Sequence, residues 1–110
     1  MIALDQLGLD QFQSRANDAA RLMKALSNRN RLMILCRLTD GERQVGDLAA
    51  EVGLSQSALS QHLALLRQDG LVAARRQGVA MHYAIADPAV ARVIALLAEI
   101  YCPPETRAPP

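Results

Sequence analysis

The stretch from Val45 to Tyr83, VGDLAAEVGLSQSALSQHLALLRQDGLVAARRQGVAMHY, constrains the fold more than any other part of the chain. Its spacing predicts two helices joined by a tight turn and followed by a short β-hairpin. In the second of these helices Ala58, Leu59, Leu63 and Leu66 recur at helical spacing, which leaves the opposite stripe to Ser57, Ser60, Gln61, Ala64 and Gln68. One face packs, and the other is short and polar. Surface helices usually project long charged side chains. Ser, Gln and Ala instead let a helix backbone approach base edges closely and offer neutral donors and acceptors. The same stripe would also serve as an ordinary solvated face, so its neighbours have to decide.

The preceding helix supplies Leu48, Ala49 and Val52 as an inner face, and Gly53 as a permissive turn before Leu54. Small Ala49 permits a close crossing, Gly53 allows a positive φ, and Leu59 locks the second helix onto the first. Ser55 is an N-cap for the second helix and Gly70 its C′ stop. Leu71, Val72 and Ala73 lead into Arg75 and Arg76, and Met81–Ile85 return after a turn at Gln77-Gly78. Two arginines near a hairpin tip are suited to phosphate or minor-groove contact, with a solvated tip as the alternative. Together these features predict a winged helix-turn-helix. Ser57, Ser60 and Gln61 are expected at base edges, Gln56 and His62 as flanking contacts, and Arg75 and Arg76 on the DNA backbone or minor groove.

At 110 residues the chain suits one domain, and with aromatic residues only at Phe12, Tyr83 and Tyr101 its core must be Leu, Ala, Val and Ile packed between helices. The expected class is mainly α: five helices plus a two-stranded β-hairpin wing. No run approaches the roughly 20 apolar residues that span a bilayer, and no leader pattern precedes the first helix, so the expectation is a cytoplasmic protein with no membrane partner. The net charge of +1 favours no partner class by itself. Its distribution says more: residues 11–43 hold seven basic and three acidic side chains, a local +4, whereas 44–66 hold only Asp47 and Glu51.

Residues 1–10 show too little periodicity to place and are expected to form an adaptable arm. From about Gln11, Phe12, Ala16, Ala19, Ala20, Met23 and Leu26 mark an amphipathic helix ending near Ser27. Asn28 caps a helix over Arg29–Leu38 that is apolar over most of its circumference and is therefore central. Asp40-Gly41-Glu42 closes it as a turn. The helix beginning near Val45 has Gln44 where Ser, Thr, Asp or Asn would cap best. A last helix starts at Asp87-Pro88, carries Val90, Val93, Ile94, Leu97, Ile100 and Tyr101, and ends at Cys102. The domain thus spans 11–102, and the proline-rich tail 103–110 is expected to be disordered. The terminal helices are natural surfaces for a homodimer on a near-palindromic operator in double-stranded DNA, with reading helices about 34 Å apart.

The order of elements, with MKALSNRNRLMIL followed by VGDLAAEVGLSQSALSQHLALLRQDGLVAARR, resembles the ArsR/SmtB family of bacterial repressors over about residues 15–102. The resemblance implies a winged helix-turn-helix homodimer that an inducer releases from its operator. The metal-ligand positions of that family are largely empty here. The run RQVGDLA lacks the cysteine pair of metalloid sensors, and the last helix offers Asp87 and Glu99 but no histidine, so neither a metal nor another cofactor is expected.

Cys36 in LMILCRL and Cys102 in LAEIYCP instead resemble the pair in the persulfide-sensing branch typified by BigR, SqrR and HlyU-like proteins. The resemblance implies that reactive sulfur species link the two thiols, by a disulfide or a polysulfide, and change DNA affinity. Read from the residues alone, Cys36 would equally serve as a small core hydrophobe and Cys102 as an incidental terminal residue. A reducing cytoplasm makes any such bridge inducible rather than permanent. The competing readings are a metal- or metalloid-responsive repressor, a general oxidant sensor, and an inducer-free activator that displaces a silencer. No nucleophile–base pair, phosphate loop or cofactor motif supports an enzyme.

Overall fold

A computed structural model describes residues 8–102. Its elements are α1 (Leu9–Leu26), α2 (Arg29–Leu38), β1 (Arg43–Gln44), α3 (Val45–Val52), α4 (Gln56–Gln68), β2 (Val72–Gln77), β3 (Ala80–Ile85) and α5 (Pro88–Tyr101). The expected residues do the capping. The Asn28 side chain accepts the backbone N–H of Arg31 at 3.1 Å, Ser55 that of Ala58 at 3.1 Å, and Asp87 that of Ala89 at 2.9 Å. Gln44 makes no side-chain cap, as its chemistry predicts.

The core gathers where helical periodicity placed it. Ile34 and Leu35 of α2, Leu48 of α3, Leu59, Leu63 and Leu66 of α4 and Val90 of α5 are fully buried. Helix α2 is the hub, packing against α1, α3, α5 and β3. Each buried aliphatic side chain contributes about 1.5–3 kcal/mol, enough for a single core to fix the relative placement of α3 and α4. The end of α4 is equally well defined. Gly70 has φ +75°, its N–H donates to the Arg67 carbonyl at 3.0 Å, and the N–H of Leu71 reaches back to Leu66 at 2.9 Å. The carbonyl of Leu71 then accepts the N–H of Ala86 at 2.9 Å, so this one residue closes α4 and anchors the exit of β3.

Three local expectations are corrected. Helix α1 begins at Leu9, not near Gln11, because the carbonyl of Gly8 accepts the N–H of Phe12 at 3.1 Å and Asp10 suits the positive end of the helix. Residues 8–10 therefore belong to α1 and its start; the remainder of the expected arm, and the expected disordered tail, lie outside the described residues. The sheet has three strands in the order β1-β3-β2, not two, since Arg43 pairs with Tyr83 and Gln44 with His82. The hairpin loop is Gly78-Val79, closed by the pair Gln77–Ala80, with Gly78 at φ +64° taking the left-handed position. Helix α2 is central as expected and keeps one face open to solvent, where Met33 and Cys36 lie.

Candidate DNA-reading head and thiol groove

Helix α4 presents Gln56, Ser57, Ser60 and Gln61 on its exposed surface, opposite Leu59, Leu63 and Leu66. It is held there from three sides. Leu59 anchors it in the core, Ser55 caps it, and Gly53 (φ +72°) turns the chain tightly so that the N–H of Leu54 returns to the Ala49 carbonyl at 3.0 Å. Gln56 and Ser60 border a cleft whose other walls are Gln44 and Gly46 at the start of α3, and Val79 and Met81 of the hairpin. A Cβ on Gly46 would meet the amide nitrogen of Gln56 at 3.7 Å, an ordinary van der Waals contact, so the start of α3 and the Gln56 side chain lie side by side at the mouth of the cleft. Helix α4 and the hairpin therefore form one continuous surface.

His62 behaves differently from its neighbours. It is half-buried on the flank of α4, and its Nδ1 is enclosed without a hydrogen-bond partner among the described residues. The structure thus separates it from the Ser57, Ser60 and Gln61 stripe. Helical spacing carries the reason, since one step on from Gln61 turns a side chain by about 100°.

The two wing arginines also part company. Successive side chains on a strand point to opposite faces. Arg76 pairs in register with Met81, which lines the cleft beside Gln56 and Ser60. Arg75 pairs with His82 on the other face, where its Nη2 and Nε donate to the two carboxylate oxygens of Glu42 at 2.6 and 2.8 Å. Its Nη1 donates to Gln77 at 3.2 Å, and His82 Nδ1 lies 3.6 Å from Glu42. The hydrogen bond from Arg75 holds the Glu42 carboxyl below its ordinary range, and Glu42 in turn raises the Arg75 guanidinium above its own. Arg43 donates to Glu51 of α3 at 3.3 Å and so ties β1 to the helix it precedes. Arg76 is exposed on the strand face that carries Met81.

Cys36 and Cys102 come from α2 and from the C-terminal end of α5, and both border a single groove of about 540 Å³. Met23 and Leu26 of α1, Leu32 and Met33 of α2, and Val93 and Leu97 of α5 make up most of its wall. Among the described residues no charged side chain lines it, and both cysteines are exposed to solvent. Among the described residues no cluster of three or more His, Cys, Asp or Glu side chains is assembled for a metal ion, and no helix is long and apolar enough to cross a membrane.

Comparison with known proteins agrees with this architecture. The family described as "Bacterial regulatory protein, arsR family" matches residues 28–74, from the cap of α2 into β2. The transcriptional activator HlyU of Vibrio cholerae is 44% identical over 96 residues, spanning 87% of this chain and 89% of the relative. The chain belongs to the ArsR family. Two solved structures of similar proteins share its fold. The transcriptional repressor BigR of Xylella fastidiosa superimposes with a TM-score of 0.80 at 38% identity, over 84% of this chain and 95% of that one. A homodimeric winged helix-turn-helix DNA-binding domain from Mycobacterium bovis does so at 0.73 and 40% identity, over 83% and 84%.

This ArsR-family chain also brings to the wing and the cleft residues that the linear pattern does not mark. Glu42 reads in the sequence only as part of a turn, yet it pairs with Arg75 from 33 positions away. Gln44 and Gly46 shape the cleft from the start of α3. Nothing local to either site announces those roles, because both depend on β1 joining the sheet.

Proposed function

We propose that this protein is a homodimeric DNA-binding transcriptional regulator that sets α4 in the major groove, and that sulfide-derived persulfides release it from a near-palindromic operator by linking Cys36 to Cys102. The observation that carries the switch is that these two thiols, from helices α2 and α5, border one groove. Helix α2 is also the core element against which α3 packs, and α5 bears exposed apolar side chains, so a link between them would connect thiol chemistry both to the reading head and to the dimer face.

Gln56, Ser57, Ser60 and Gln61 are the base-reading set, and Arg76 is the backbone or minor-groove contact. Arg75, committed to Glu42, acts by holding the wing in place. His62 supports α4 from its flank. The dimer reading rests on apolar surface that the single chain leaves uncovered: Phe12 is 46% exposed, Leu96 54% and Ile100 57%. A two-fold axis through this face would bring two copies of α4 about 34 Å apart, the spacing of successive major grooves.

The chemistry balances. One thiolate takes the terminal sulfur of R–S–SH and releases R–SH; the second thiolate attacks the modified cysteine at Sγ and expels hydrosulfide, leaving a disulfide. Two donor molecules give a trisulfide, with two R–SH and one hydrosulfide released. A direct disulfide needs Cα atoms within about 7 Å, and each inserted sulfur relaxes that condition.

Fluorescence anisotropy on operator-containing and random duplexes tests the reading. Reduced protein binds the operator as a dimer and persulfide treatment releases it, whereas Cys36→Ser and Cys102→Ser bind and stay bound. Release of either single mutant by persulfide excludes the two-cysteine mechanism. Equal affinity of reduced wild type for both duplexes excludes sequence reading.

A further inference from the structure

We propose that the groove bordered by Cys36 and Cys102 selects its sulfur donor by hydrophobic fit, taking an uncharged alkyl persulfide in preference to a charged peptide persulfide such as that of glutathione. The proposal rests on the persulfide reading above and names the class of inducer for that site. Leu26, Leu32 and Met33 line the groove together with Val93, Leu97 and Ala98; apart from the thiols, among the described residues only the hydroxyls of Ser27 and Tyr101 lend the wall polar groups.

A donor must place its terminal sulfur against a thiol on this wall, so its organic group is drawn over the aliphatic side chains. The carboxylates and ammonium of glutathione would lose water there and find no opposite charge among the lining residues. An alkyl chain loses nothing on entry and gains from burial, and the unbranched Met23 and Met33 side chains can adjust to its length. Donor recognition and sulfur transfer then share one surface. The thiolate attacks the terminal sulfur, the donor S–S bond breaks, and the departing R–S⁻ takes up the proton that the cysteine lost.

The test is the rate of cysteine persulfidation in the full chain, followed by mass spectrometry, for a series of n-alkyl persulfides from methyl to hexyl and for glutathione persulfide. Each rate is divided by that of the same donor with N-acetylcysteine, which removes differences in intrinsic reactivity. The corrected rate is expected to rise by up to about four-fold per methylene, the equivalent of roughly 0.8 kcal/mol for a buried CH₂, and hexyl persulfide to exceed glutathione persulfide by about ten-fold or more. Met33→Lys puts a cation on the exposed edge of the groove and should shift the glutathione-to-hexyl ratio towards glutathione; the ratio is insensitive to any change in thiolate fraction. Met23→Lys, at a more exposed position on the same wall, is the alternative if the first variant fails to fold. A flat series with the cysteines still becoming linked overturns hydrophobic selection and leaves the switch standing; a second copy of the chain seated in the groove would give that result. Failure of every donor to modify Cys36 or Cys102 overturns the persulfide reading and this proposal with it.

Discussion

Glu42 grips Arg75 across the wing, accepting Nη2 at 2.6 Å and Nε at 2.8 Å from a position just before β1, while Arg75 sits on β2 with β3 between them. This pair laces one face of the sheet and leaves Arg76, on the opposite face with Met81, as the exposed wing cation. Because Arg75 holds the Glu42 carboxyl below its ordinary value, the contribution of the pair is fully present above the ordinary carboxylate range and is lost as pH falls through the lowered value. The melting temperature of Glu42→Gln is therefore expected below that of wild type at neutral pH, with the gap closing as pH drops below the ordinary 4.5. A gap that persists unchanged in acid would show that the pair contributes nothing through charge.

Opposite faces imply opposite phenotypes for adjacent arginines. Arg76→Ala should weaken binding to operator and random DNA alike and flatten the dependence of log affinity on log salt by about one unit. Arg75→Ala should leave that slope unchanged and instead raise amide hydrogen exchange in β2 and β1, since it releases the wing rather than a phosphate. Salt titrations of both variants decide the matter: a reduced slope for Arg75→Ala and not for Arg76→Ala reverses the assignment.

Base reading makes a different demand. Gln61 is exposed on the outer stripe of α4, and its replacement by Ala should cost about 1–3 kcal/mol on the operator while leaving random DNA binding in place, with preference relaxed at one base-pair position. Parallel losses on both duplexes would make Gln61 a general contact.

Packing beneath the reading helix sets the cost of disturbing it from inside. Leu59 is fully buried where α4 crosses α3, and Leu59→Ala should destabilise the fold by roughly 2–5 kcal/mol through lost burial and the cavity left behind. Chemical denaturation measures this directly, and a loss under about 1 kcal/mol would mean that the crossing is not anchored there.

Much of this fold is legible in the sequence because the signals are local and redundant. Asn28, Ser55 and Asp87 each announce a helix start and each forms the bond its chemistry predicts; Gly53 and Gly70 mark turns that need a positive φ; and the spacing of Leu59, Leu63 and Leu66 fixes the inner face of α4. What escapes are features without local pattern. Arg43 and Gln44 form a strand only because β3 offers an unpaired edge, and a polar dipeptide shows no alternation. The Glu42–Arg75 pair spans 33 residues. The split between Arg75 and Arg76 follows from strand periodicity alone, yet proximity to the hairpin tip suggested one shared role. Likewise, the apolar run around Cys36 reads as a central helix, and nothing in it marks the one face that stays open, where the thiol lies.

The most direct measurement is peptide mapping by mass spectrometry, without reductant, of operator-bound protein before and after persulfide treatment, with DNA release recorded on the same samples. The account predicts that release rises in proportion to a Cys36–Cys102 disulfide or polysulfide within one protomer. Release without that link, or the link formed while the operator stays bound, would contradict it.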